Sequence, residues 1–169
     1  GEFDGELHRV SNFHKVTNNQ YNNLLRIDSK LLSVHLTIFA KEKYLINNNV
    51  DIQNYSIAYY RGRKNVDQLL SQQKPQKSIY RVNTDIQAFQ MLAADRVDIV
   101  ITESHLGNSI INSNTEFNNI KELKHLAKTD IHSYIHKKHQ KLLPIINKTL
   151  ELMEANGRFE EIINTTSFE

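Results

Sequence analysis

Residues 55–102, YSIAYYRGRKNVDQLLSQQKPQKSIYRVNTDIQAFQMLAADRVDIVIT, decide the fold class. Tyr55 to Tyr60 carries three tyrosines and Ile57 and stops at Arg61-Gly62, which predicts a strand followed by a turn. Asn65 to Gln72 reads as a helix, with Asn65 available as its N-cap. Ser78 to Val82 is a second strand, and Thr84 or Asp85 caps a second helix over Ile86 to Ala94. Val97 to Thr102 is a third strand, nearly continuous in apolar character, as a sheet covered on both faces requires. A β-α-β-α-β run of this kind is the mark of a doubly wound α/β unit.

Outward from this core, Leu31 to Ala40 (LLSVHLTIFA) predicts a mostly buried strand, and Asn47-Asn48-Asn49 through Asp51 a connector. Phe3 to Val10 alternates loosely and predicts a short strand, followed by Asn-rich turns at Asn18-Asn19 and Asn22-Asn23. On the other side, a helix near Ser104 to Asn112 precedes Ile120 to Leu126, and His132 to His136 returns as a strand. Leu142 to Ala155 carries Leu142, Ile145, Ile146, Leu150 and Met153 near helical spacing. Asn156-Gly157 supplies its C-cap, and a short helix over Phe159 to Ile163 follows.

Composition narrows the function classes. The 169 residues hold 21 basic and 19 acidic side chains, a net charge of +2, without the clustered excess that nucleic-acid binding requires. Arg61-Gly62-Arg63-Lys64 and His136-Lys137-Lys138-His139 are short enough to be solvated turns or helix ends. No cysteine is present, which excludes disulfides, thiol catalysis and thiolate metal sites. No apolar run approaches the roughly 18 to 20 residues that span a bilayer. The chain also opens without a basic segment, apolar stretch and cleavage site, so an export signal, if the protein is exported, is expected upstream.

Four segments together resemble the type II periplasmic solute-binding proteins, specifically the amino-acid-binding family of ABC importers. Gly1-Glu2-Phe3-Asp4-Gly5-Glu6 with Arg9 is similar to that family's "G-x-x-D-G" strand, and Tyr55 to Gly62 to the strand and glycine turn opening its second lobe. Phe89 to Val100 is similar to its helix-to-strand passage. His136 to His139, Leu143-Pro144, Asn147, Leu150 and Asn156 to Phe159 are similar to its closing helices. The order and spacing of the four carry the resemblance. It implies two doubly wound α/β lobes joined by crossing hinge strands near Leu36 to Ala40 and His132 to Tyr134. Residues 1–40 and 133–169 would form the first lobe, and 41–132 the second.

Family members begin with a strand, helix, strand and helix ahead of the "D-G" strand, and this chain has no counterpart to them. The first lobe is therefore expected to be incomplete, and its exposed strand edges and apolar face to favour a homodimer by strand or domain exchange. The resemblance further implies a periplasmic location, a small polar solute such as an amino acid as ligand, and an ABC transporter permease or a sensor as partner.

Candidate ligand-binding residues come from the resemblance and from residue chemistry. Glu103, directly after the third strand, matches the acidic residue that takes the ligand ammonium; the alternative is an exposed carboxylate at a helix start. Arg61 and Gly62 lead into a helix N-terminus that suits an anion, while Arg63 and Lys64 read as a solvated basic turn. Arg9 is the first-lobe candidate for a carboxylate, although Phe13-His14-Lys15-Val16 stands where the family has "T-x-x-R". Tyr59, Tyr60 and Tyr80 are candidates to flank a pocket, Tyr60 foremost, although a lone tyrosine in a strand is more often core or boundary packing.

His132, His136 and His139 raise the question of a metal, but the segment reads as strand running into helix, with no acidic third ligand nearby. Neither metal nor cofactor is expected. Nor is catalysis: there is no phosphate-binding glycine loop and no Ser-His-Asp pattern, and Glu103 has no evident acid–base partner. Two alternatives remain: a degenerate or truncated fold acting as an interaction or oligomerisation module, and an enzyme on the same fold, of dehydratase or cell-wall-cleaving type.

Overall fold

In the computed structural model, which describes residues 3–42, 51–74 and 77–165, strands β3 (Ile57–Tyr60), β4 (Ile79–Val82) and β5 (Ile99–Glu103) run parallel. Helices α2 (Lys64–Gln73), α3 (Asp85–Ala93) and α4 (Ser104–Ser113) follow them in turn. The chain packs as two units, Val34–Thr129 and Gly1–Ser33 with Asp130–Glu169. Two long strands, β2 (Leu24–Lys41) and β6 (Ile120–His136), contribute residues to both units.

Within the Val34–Thr129 unit the strand order is β6-β2-β5-β3-β4, with β2 antiparallel to β5 from Leu36 opposite Glu103 to Phe39 opposite Val100. Strand periodicity separates two cores. Leu36, Ile38, Ile57, Tyr59, Ile99 and Ile101 face one side and pack on Val66 and Leu70 of α2. Their neighbours Phe39, Ala58 and Val100 face the other and pack on Ala88, Phe89 and Leu92 of α3 and Ile110 of α4. Successive side chains of a strand point to opposite faces, so the inner strands β3 and β5 are covered twice and read as nearly continuous apolar runs.

Thr84 caps α3 as expected, its side chain accepting from the Gln87 N–H at 3.2 Å while Gln87 reaches back to the Asn83 N–H at 2.9 Å. Helix α2 differs. It starts one residue earlier than read, with Arg63 at the N-cap position, and Asn65 accepts only from the adjacent Val66 N–H at 3.0 Å.

In the other unit, β1 (Gly5–Val10) pairs antiparallel with β6, Arg9 opposite His132, with an irregularity between Glu6 and Arg9. A short α1 (Phe13–Val16), unread in the sequence, buries Phe13 against Tyr21 and Tyr134 with ring centroids 5.3 and 5.6 Å away. The Asn18-Asn19 turn holds both residues at positive φ, where asparagine is tolerated. Helices α5 (Leu143–Ala155) and α6 (Arg158–Thr165) close the chain, separated by Gly157 at φ 75° as a helix C-terminus requires. The connector expected at residues 47–49, and residues 1 and 2 of the first resembling segment, lie outside the described residues.

Candidate functional site

Because β3, β4 and β5 are parallel, their carboxyl ends share one edge of the sheet, the usual place for a ligand in an open α/β sheet. Tyr60, Arg61 and Gly62 leave β3 there, Asp85 opens α3 after β4, and Thr102 and Glu103 end β5. The structure thus brings four of the five candidate residues, Tyr60, Arg61, Gly62 and Glu103, to one edge. Arg9, the fifth, belongs to the other unit, where its guanidinium pairs with Glu6 and lies 5.3 Å over the Phe13 ring.

The Tyr60 ring folds back over the glycine turn, so that a Cβ at Gly62 would run into it. Here glycine serves close approach. Arg61 is exposed, and its backbone N–H donates to the Val82 carbonyl at 3.0 Å, tying the turn to β4. Glu103 occupies the N-cap position of α4 with its side chain 15% exposed, and its Oε2 lies 3.9 Å from His105 Nε2. It is a partly buried carboxylate, held less openly than an ordinary helix-start residue.

Arg63 corrects the expectation of a solvated turn. Its Nη1 donates to both Asp85 oxygens, at 2.7 and 3.0 Å, and the two side chains are only 10% and 14% exposed. Thr102 Oγ1 donates to the same carboxylate at 2.9 Å, so β5, α3 and the start of α2 meet in one polar cluster. Removing one member of a pair this buried costs about 3–5 kcal/mol. Sequence reasoning missed Asp85 and Thr102 as site residues because their partners are distant in sequence.

A second cluster lies behind α4. Glu122 of β6 accepts from Ser104 Oγ at 3.0 Å, Asn108 Nδ2 at 2.6 Å and His125 Nε2 at 2.5 Å. Burial by itself raises the Glu122 pKa, but these hydrogen bonds outweigh it and hold the group below 4.5. His125 stacks on His35 with ring centroids 4.5 Å apart. On the other sheet face, the Tyr59 hydroxyl donates to Asp67, which also accepts from Arg81 Nε at 3.0 Å; burial, then Asp67, pushes the phenol up.

A cavity of about 450 Å³ lined by Ile52, Leu69, Gln73, Lys124, His125 and Leu126, with Asp51, lies toward the carboxyl end of α2 and includes none of the candidate residues. The three histidines of the metal question are engaged separately. His132 Nδ1 bonds the Ile27 carbonyl at 2.9 Å, His136 Nδ1 accepts from the Lys138 N–H at 3.1 Å, and His139 Nε2 bonds Asp4 at 2.8 Å. Lys138, then His139, lower the Asp4 pKa to about 2.

No protein-family model matches the chain. One curated relative, from Shewanella oneidensis and described as an uncharacterized protein, is 26% identical over 170 residues; the match covers 95% of this chain and 61% of the relative, so the chain spans less than two thirds of it. Solved structures match more broadly. A histidine kinase sensor domain with similarity to periplasmic binding proteins gives a TM-score of 0.73 at 17% identity, over 96% of this chain and 67% of that one. The arginine-, lysine-, histidine-binding protein ArtJ of Geobacillus stearothermophilus gives 0.72 at 15%, over 97% and 69%. An ancestral amino acid-binding protein, precursor of cyclohexadienyl dehydratase, gives 0.75 at 16%, over 98% and 68%. At these identities the likeness shows the fold, which is the type II periplasmic-binding-protein-like α/β fold.

Proposed function

We propose that the chain binds a small polar solute, an amino acid or related compound, without catalysis, for an ABC transporter or a sensor outside the cytoplasm. The fold likeness to amino-acid-binding proteins and to a sensor domain supports the class. One observation carries the reading: Glu103, 15% exposed, ends β5 at the edge where three parallel strands finish. A carboxylate there suits a solute ammonium, because partial burial raises the worth of each charge contact. Tyr60, Arg61 and Gly62 supply the neighbouring surface, and Arg9 is the proposed contact from the other lobe. Lobe closure over the solute belongs to the same proposal, as does a homodimer; nucleic acid has no part in it.

The test is a thermal-shift series with amino acids, small peptides, polyamines and carboxylates. A solute-dependent rise in Tm that Glu103→Ala abolishes supports the reading, since a ligand that binds only the folded state stabilises it by mass action. No rise with any compound favours the alternative of a degenerate module that acts through oligomerisation.

A further inference from the structure

We propose that Asp85 is a specificity-determining residue of this edge: by holding the Arg63 guanidinium it withholds that charge from anionic solutes, so the edge selects an amine or guanidine solute of net positive charge. The inference rests on the solute-binding reading above. An arginine at a strand-to-helix turn is the expected grip for a carboxylate. A guanidinium set for that task presents a free donor edge to the solute.

Arg63 does not. Its Nη1 is committed to both Asp85 oxygens, at 2.7 and 3.0 Å, and Thr102 Oγ1 fixes that carboxylate from β5 at 2.9 Å. The Tyr60 ring lies 5.7 Å from the Arg63 Cζ, and the guanidinium Nε is buried without an acceptor among the described residues. The side chain, 10% exposed, is largely withdrawn as well as paired.

Charge summation then gives the selectivity. Arg63 and Asp85 cancel, and Thr102 is neutral. Glu103, the next residue along β5, is left as the low-exposure charge, with a histidine nitrogen no nearer than 3.9 Å. Arg61 and Lys64 of the same turn are exposed, so solvent and salt screen them far more than they screen Glu103. Glu103 is thus the least screened uncompensated charge of this edge, and a like charge placed beside it is disfavoured.

Isothermal titration of the 169-residue chain with agmatine, L-arginine and L-glutamate tests this. Agmatine and arginine are expected to bind, and glutamate to bind more weakly by on the order of tenfold. Asp85→Asn keeps an acceptor for Thr102 but frees the Arg63 charge, and is expected to shift the agmatine-to-glutamate ratio toward glutamate by about tenfold. Thr102→Val removes only the hydroxyl that fixes Asp85. It is expected to shift the ratio the same way by about threefold, and serves where Asp85→Asn does not fold. Glutamate binding tighter than agmatine in the unmodified chain, or a ratio unmoved in a folded variant, overturns the inference and leaves the solute-binding reading standing. Absence of binding by any solute of the wider series overturns both.

Discussion

Gly107 of α4 lies against the Phe39 ring so closely that a Cβ there would enter it. Phe39 is fully buried between α3 and α4 and has no room to retreat. Gly107→Ala is therefore expected to destabilise the fold by about 1–3 kcal/mol despite alanine's better helix propensity, measured as a lower urea midpoint with an unchanged slope. The periodicity of α4 gives no sign of this contact, because the residue it spares is 68 positions away on β2. Arg63 makes the same point with charge. The placement of Glu103, Tyr60, Arg61 and Gly62 at strand ends was legible because each ends or closely follows an apolar strand, whereas the Arg63 side chain acquires its meaning from Asp85 and Thr102.

At the scale of elements, the β-α-β-α-β core was legible to within a residue or two, because both strand faces are covered and Thr84 caps locally. Two strands were longer than read. Strand β2 begins at Leu24, where Leu24 and Ile27 are buried but Arg26, Asp28 and Lys30 interrupt the apolar pattern. Asn147 of α5 brackets Asp28, accepting from its N–H at 3.1 Å and donating to its carboxylate at 2.6 Å. Strand β6 joins two segments read apart, since Thr129 and Ile131 suit extended backbone and neither glycine nor proline intervenes.

The same strand carries Glu122, which ties β6 to the first turns of α4. Its pKa is lowered in the folded state, so its stabilising contribution is complete above the unfolded value and lost as pH falls through the folded one. Glu122→Gln is accordingly expected to lower the urea midpoint near neutral pH, with the gap to the unmodified chain closing as pH drops below 4.5. A gap that stays constant down to the acid limit would show that the Glu122 charge is not what holds α4.

At the scale of the molecule, the two units differ in how well they bury what they carry. Val34–Thr129 encloses two apolar clusters around its sheet. The other unit leaves Phe3 76%, Leu7 78%, Ile145 63% and Leu152 58% exposed, and no residue of α5 is buried. Apolar surface on this scale favours association, in line with the proposed homodimer. Light scattering across a concentration series is expected to show an assembly larger than a monomer, and Ile145→Lys with Leu152→Lys to reduce it. A monomeric mass at every concentration would remove the dimer from the proposal.

Sequence by itself determined the doubly wound core, the α3 cap and the positions where strands end, because periodicity, capping and turn chemistry are written in residues close to one another. Tertiary structure alone decided that Arg63 is paired and largely buried, that Gly107 must be small, and that Leu24–Lys41 and Ile120–His136 are single strands. Those outcomes depend on contacts between residues far apart in the chain, where propensity is silent and packing, desolvation and charge pairing settle the result.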